Sequence, residues 1–301
     1  MPSLQIRHIN KTDIGLLCRL WNQNIEFDPV TEGILHEKMF GDPDFEQDFT
    51  LIAESGGRVA GFMQGLVRTT AKQERVGWIK LFFTEKKFRR QGIARTLYRE
   101  IESQIKSKVS RIQMLDSNPN YLTPGIDPLY TEAIAFVERE GFEKFKDTAN
   151  MVADLSQNLD TSENEQDLLS QDIHIRRAKS SDRKEVAEFL QNHWAAWVEE
   201  VDLAFENTPI SLHLGYDNGK LAAFSAYDIN NVGCGWFGPM GTDPGFRGKG
   251  VGAILLKRCL ADIKRQGQTH AVIPWVGPIP FYLHHVGARV RRIFWRYRKE
   301  V

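Results

Sequence analysis

The sequence predicts a mixed α/β (α+β) protein made of two tandem domains, each a mostly antiparallel central sheet flanked by helices. Three observations carry that expectation. The chain has 301 residues, and at about 100–200 residues per domain this suggests two domains. A set of short motifs occurs twice, in the same order. At the centre of each copy a strand runs through a basic glycine loop into a helix.

The motifs fix the repeat. Ile6-Arg7 is followed by Asp13, and Ile175-Arg176 by Asp182 at the same spacing. Phe88-Arg89-Arg90-Gln91-Gly92-Ile93-Ala94 recurs as Phe246-Arg247-Gly248-Lys249-Gly250-Val251-Gly252. Phe136 leads to Gly141, and Phe281 to Gly287. Such a repeat is too long for a solenoid unit and fits a duplicated domain. Between the copies, Ser156 to Asp167 is polar, with acids and no base, and has little to bury. The expected organisation is a domain over 1–155, a linker over 156–171 and a domain over 172–301.

The first copy opens with a strand around Leu4–Ile9. Asn10, Thr12 and Asp13 suit a helix start, and Ile14, Leu17, Cys18 and Trp21 then recur at helical spacing. A helix over Thr31–Phe40 follows. Phe49–Glu54, the turn Gly56-Gly57 and Arg58–Val67 read as a hairpin. Gly77–Thr84 is the strand before the loop. Ala94, Leu97, Ile101 and Ile105 form the stripe of the helix after it. Arg111–Leu115 is a strand, Thr131–Glu140 a helix and Phe142–Leu155 extended. The second copy repeats the order: strand His174–Ala178, a helix starting near Ser180–Asp182, and a hairpin turning at Asp217-Asn218-Gly219. Then come a strand over Gly235–Thr242, the loop, and a helix with Val251, Leu255, Cys259 and Ile263 on one face. Strand His270–Trp275, helix Pro280–Val286 and extended Val290–Tyr297 complete it.

Composition excludes several functions. Thirty-nine basic and 39 acidic residues cancel, which gives no global pull toward nucleic acid or anionic membrane. No apolar run approaches the roughly 18 residues of a membrane span, and the opening MPSLQIRHINKTD does not read as a signal peptide. Cys18, Cys234 and Cys259 lack CxxC spacing. No disulfide framework or metal site is expected, and the cysteine usage suits a cytoplasmic protein. The basic run from Arg289 to Lys299 reads as charge on a solvated strand face.

A strand, a glycine turn and a helix N-terminus together make an anion site, because the first N–H groups of the helix lack partners. Arg89, Arg90, Arg247 and Lys249 add charge, so a phosphate or pyrophosphate is the expected ligand. The P-loop pattern fails, since Lys249 is followed by Gly250. Gly248, Gly250 and Ala253 meet the dinucleotide fingerprint only loosely, and the loop sits mid-domain rather than in an opening βαβ unit.

Both loops resemble the [RQ]xxGx[GA] signature of the GNAT acetyltransferase superfamily: Arg89, Gly92 and Ala94 in one, Arg247, Gly250 and Gly252 in the other. Asp243-Pro244-Gly245-Phe246 also resembles that family's approach to its loop. The likeness spans nearly the whole chain, twice. It implies bound acetyl-CoA, with pyrophosphate held by Arg89, Arg90, Gln91, Gly92, Ile93 and Ala94 in one half. In the other half Arg247, Gly248, Lys249, Gly250, Val251, Gly252 and Ala253 would hold it. The strand ends Phe82-Phe83-Thr84 and Met240-Gly241-Thr242 would pair with the pantetheine amides. The tandem layout is similar to that of other two-domain GNAT proteins, bacterial glucosamine N-acetyltransferases among them.

In that family a tyrosine of the late helix, four residues before its glycine, often protonates the leaving thiolate. In the first half that position is Val137, beside Phe136, and neither can donate. In the second half glycine register gives Leu283, whereas register on Phe281 gives Tyr282, the expected catalytic residue. The second half is therefore expected to be catalytic and the first a degenerate copy. No base stands out: His284 and His285 suit a solvated helix face. Glu199, Glu200 and Asp202 follow Trp194 and Trp197, as either an acidic outer face or a seat for a cationic or sugar-like amine. Asn118–Asp127 is long for a connection, which favours binding. The expected function is N-acetylation of a small-molecule primary amine, amino sugars included. The alternatives are a non-catalytic acyl-CoA sensor and a protein N-acetyltransferase.

Overall fold

The computed structural model describes residues 3–301. They form two compact units: residues 3–148 with 294–301, and residues 149–293.

The first unit contains β1 (Leu4–His8), α1 (Ile14–Asn24), α2 (Glu32–Lys38), β2 (Thr50–Ser55), β3 (Arg58–Thr69), β4 (Arg75–Thr84), α3 (Ile93–Ile105), β5 (Arg111–Met114) and α4 (Thr131–Arg139). Strands β1 to β4 pair antiparallel in chain order, and β5 joins β4 in parallel. One sheet face packs on α3, burying Met63, Ile79, Leu97, Ile101 and Ile105. The other packs on α1 and α2, burying Leu17, Trp21, Ile34, Leu35, Phe62 and Phe83. The apolar stripe read from Ile14, Leu17, Cys18 and Trp21 is thus an inward face.

Two features open this sheet. Gln64 faces Leu81 while Gly65 faces Ile79, so Lys80 is an extra residue in β4, a bulge of the kind that re-aims side chains beside functional sites. The β4–β5 ladder ends at Ile79 and Met114. Leu115 then takes a positive φ of 67° and the chain turns away, while β4 continues to Thr84.

Strand β6 (Glu143–Asp154) begins in the first unit and ends in the second. The second unit adds α5 (Ser162–Leu169), β7 (Ile173–Arg177), α6 (Arg183–His193), α7 (Val198–Asp202), β8 (Leu212–Asp217), β9 (Lys220–Tyr227), β10 (Phe237–Thr242), α8 (Val251–Arg265), β11 (His270–Ile273) and α9 (Ile279–Val286). Its sheet runs β10-β9-β8-β7, all antiparallel. The end of β6 pairs antiparallel with β11. The hairpin signal is realised, with φ of 49° at Asn218 and 75° at Gly219 between β8 and β9. Val251, Leu255, Cys259 and Ile263 are all buried on α8.

Two expectations change. The polar segment does not mark the division between units, which falls at 148/149 and 293/294. Part of that segment is α5, whose Leu168 is buried against Ile173, Val251 and Leu255. And β12 (Arg289–Glu300) crosses back, so that residues 298–300 pair antiparallel with β5 of the first unit. Its basic run is not all solvated. Arg296 binds the buried Asp116 at 2.6 Å, and Lys299 binds Glu102 at 2.6 Å. Period-two alternation shows which residues share a face of a strand, but not which sheet will cover that face.

Candidate functional site

The widened end of the first unit's sheet forms a cleft of about 770 Å³. Its walls are the end of β4, the loop before α3, the start of α4 and the connections after α1 and β5. Phe82, Phe83, Thr84, Arg89, Arg90, Gly92, Ile93 and Ala94, singled out by sequence, all line it; Gln91 is exposed on the same loop. The long connection 118–127 contributes Leu122, Thr123, Gly125, Ile126 and Asp127.

The loop has a defined backbone. Arg90 has φ of 62° and Gly92 of 84°. In the second unit Gly248 has 87° and Gly250 has 81°. The two loops share one conformation, although in the first an arginine takes a left-handed position that glycine holds in the second. Glycine is the N-cap residue of both helices, and neither N-terminus has a side-chain cap. Nothing lies within 4 Å of where a Cβ on Gly92 or Gly250 would be. The first backbone N–H groups of α3 therefore face an open cradle, as an anion requires. Arg89 is pinned, donating from Nε to Thr84 O at 3.3 Å and from Nη2 to Asn24 O at 3.2 Å. Arg247 repeats the first contact, to Thr242 O at 3.4 Å. Lys249 is paired with Asp217, whose carboxyl it holds below the usual range.

The cleft also holds residues that the sequence reading passed over. Tyr130 is the N-cap residue of α4, on a turn in which Leu129 N donates to Asp127 Oδ1 at 2.9 Å. Its hydroxyl donates to Asp28 Oδ2 at 2.8 Å and accepts from Phe27 N at 2.9 Å. Asp28 is set by Trp21, whose Nε1 donates to the Asp28 carbonyl at 2.7 Å. Counting four residues back from Gly141 could not reach a tyrosine eleven earlier. A carboxylate in the α1–α2 connection and a tyrosine beside a helix start were the only available signals.

Lys80, at the bulge, also lines the cleft. Its side chain is fully buried and paired with Asp42, which Arg68 Nη2 also binds at 2.6 Å. Burial, partly opposed by Asp42, pushes the Lys80 ammonium down to about 7.

In the second unit Tyr282 is 7% exposed, in a cluster with Phe237, Cys259, Val286 and Ala288. Burial pushes its hydroxyl up to about 12. A Cβ on Gly252 would lie 3.5 Å from Met240 Cε, 3.6 Å from Phe281 Cζ and 3.4 Å from Thr242 Oγ1, in ordinary van der Waals contact with each. Gly241 sits against Trp194, which stacks on Trp197 at 5.8 Å. Val251 is buried in the core, and Ala253 is half-buried on the first turn of α8. Asp202 is bound by Arg183 at 2.6 Å, Glu200 is buried and Glu199 is exposed. His284 is exposed beside the half-buried His285. Among the described residues no group of three or more His, Cys, Asp or Glu could hold a metal ion.

The acetyltransferase (GNAT) family model matches residues 17–124 and again residues 173–283. The chain belongs to the GNAT family. It is an N-acetyltransferase with two GNAT-like domains in tandem. The GCN5-related glucosamine N-acetyltransferase region of a fungal multi-domain GH3 β-N-acetylglucosaminidase superposes over 99% of this chain with a TM-score of 0.83 and 15% identity. The match covers 38% of that protein's chain. A GCN5-related N-acetyltransferase from Sphaerobacter thermophilus matches over 99% of this chain and 95% of its own, with a TM-score of 0.72 and 17% identity. A tandem GNAT protein from the clavulanic acid biosynthesis pathway matches over 99% and 98%, with a TM-score of 0.69 and 15% identity. At these identities the likeness is one of fold. No curated protein sequence matches significantly. Among the described residues no helix is long and apolar enough to cross a membrane.

Proposed function

We propose that this GNAT protein transfers an acetyl group from acetyl-CoA to the primary amine of a small molecule, of the amino-sugar class, and that the first unit's cleft is where it does so. One observation carries the reading: the parted end of β4 and the open cradle at Gly92 line a single cleft. The glucosamine N-acetyltransferase region among the structural neighbours supports the amine class. The sequence alone placed chemistry in the second half, through Tyr282. The burial of that tyrosine favours the first half instead.

Acetyl-CoA, when bound, supplies an acetyl group activated as a thioester. The N–H groups at the start of α3, with Arg89 and Arg90, would hold its pyrophosphate. The end of β4, from Phe82 to Thr84, would hold the pantetheine arm. Phe82, Phe136 and Ile93 make the walls apolar and exclude water, which strengthens polar contacts inside.

Calorimetry with acetyl-CoA tests the reading. Gly92→Asp places an anion in the cradle and should abolish binding, while Gly250→Asp should leave it. The opposite pattern would return the site to the second half. Thiol release over a panel of amines then tests the acceptor class: turnover of glucosamine but not of peptide N-termini is expected. Turnover of peptides alone would refute a small-molecule acceptor, and binding without any turnover would favour a sensor.

A further inference from the structure

Acetylating an amine requires the attacking nitrogen to shed a proton as its bond to carbon forms. The cleft contains no histidine or cysteine. Lys80 lines it, but its ammonium is tied to the fully buried Asp42. Glu132 is exposed and lies 3.7 Å from Arg89. The arginines cannot give up their protons. Asp127 is buried, and its Oδ1 already accepts from Leu129 N at 2.9 Å. Tyr130 and Asp28 remain: both line the cleft, both are half-buried, and they are hydrogen-bonded to each other at 2.8 Å.

We infer that Tyr130 and Asp28 form the proton relay for the amine acceptor in this cleft. The inference rests on the reading of the first unit as the acetyl-transfer site. Its direction follows from the hydrogen bonds. Phe27 N donates to the Tyr130 oxygen, so the tyrosine proton points to Asp28. An incoming nitrogen therefore meets the Tyr130 oxygen as an acceptor. As the nitrogen bonds to carbon it becomes strongly acidic and passes its proton to Tyr130 Oη. Tyr130 passes its own proton to Asp28 Oδ2. One N–H and one tyrosine O–H bond break, a new tyrosine O–H and a carboxyl O–H bond form, and the tyrosine ends neutral. The thioester C–S bond then breaks, Asp28 gives its proton up to solvent, and the departing thiolate takes one up from solvent and leaves as the thiol. The geometry is built in: Trp21 fixes the Asp28 backbone, the Asp127 turn fixes Tyr130, and the Phe27 and Tyr130 rings pack 5.3 Å apart.

Two measurements test the relay. In the first, tyrosine labelled with ¹³C at Cζ is titrated in the unliganded protein, with Tyr130→Phe to assign the signal. Asp28→Asn removes a neighbouring anion and should lower the Tyr130 ionisation by roughly one pH unit or more; an unchanged titration overturns the coupling. In the second, Tyr130→Phe should keep acetyl-CoA affinity by calorimetry and lose roughly 10²–10⁴-fold in kcat. Asp28→Asn should lose activity with a changed pH profile, and Asp28→Glu should restore part of it. Wild-type turnover in Tyr130→Phe would reduce the pair to a brace for the α1–α2 connection. Wild-type protein that fails to bind acetyl-CoA would instead sink the functional reading, and the titration still decides whether the pair is coupled.

Discussion

The buried cluster behind the cleft makes an unequal prediction for the two ends of one ion pair. Asp42 is fully buried in its side chain and is held by Lys80, by Arg68 Nη2 at 2.6 Å and by the backbone N–H of Asp44 at 2.9 Å. Burial alone would raise its carboxyl; the charges of Lys80 and Arg68 hold it below the usual range. Asp42→Asn keeps the shape and removes the charge, leaving the Arg68 cation facing a neutral amide and Lys80 without the carboxylate that favours its charged form. Breaking a buried pair in this way costs about 3–5 kcal/mol. At about 2–4 °C per kcal/mol for a unit of this size, the melting temperature of the first unit should fall by about 6–20 °C. Lys80→Met removes the other end. Asp42 then keeps Arg68 and the Asp44 N–H, and the methionine fills an apolar wall, so the cost should be within about 1.5 kcal/mol. Differential scanning calorimetry on both variants decides the matter. Equal losses in the two, or a larger loss in Lys80→Met, would refute the claim that Asp42 is the hub of the cluster.

Other outcomes follow from the same geometry. His213 is buried, with Nε2 2.7 Å from Asp262 Oδ2 and Nδ1 unpartnered; burial outweighs Asp262 and lowers its pKa. The unfolded chain therefore binds a proton below about pH 6.5 that the fold resists. Stability should fall as pH drops through that value, and His213→Gln should flatten the fall in urea midpoints between pH 5 and 7. Arg90→Gly relieves a left-handed arginine worth about 1–2 kcal/mol, offset by about 0.5–1 kcal/mol of chain entropy. The net gain of up to about 1.5 kcal/mol should raise the melting temperature by up to about 6 °C, while weakening acetyl-CoA binding in calorimetry. Tyr282→Phe should leave turnover near wild type; a loss of roughly 10²-fold or more, with melting unchanged, would restore Tyr282 as the proton donor.

Much of this was legible in the residues, for physical reasons. Asp217-Asn218-Gly219 demands a tight hairpin, and Val251, Leu255, Cys259 and Ile263 can share only one helix face; both are local facts. The glycine loop was readable because its function needs bare backbone at Gly92 and Gly250. What stayed hidden was set by distant partners. Arg90 gives no sign that it will adopt the conformation of Gly248, since the surrounding fold imposes it. The segment 156–171 looked solvated because its two anchoring apolar residues find their partners elsewhere in the chain, Leu168 on β7 and α8 and Leu159 in the cluster with Leu256 and Tyr282. Tyr130 and Asp28 lie far apart in sequence and meet only once α1 and α4 border the same cleft.

The return of the chain's last residues to the first unit limits how the molecule can be divided. A cut anywhere in 156–171 leaves an N-terminal fragment without the strand that covers β5. The C-terminal fragment would lack the segment that pairs with β11. Each piece would carry an uncovered β-edge, a template for aggregation when alone and for reassembly when the pieces are expressed together. Neither half is a transplantable module, although each matches the family model separately. Each half of the sequence thus carries a strand segment that completes the sheet of the other, whatever chemistry its own loop performs.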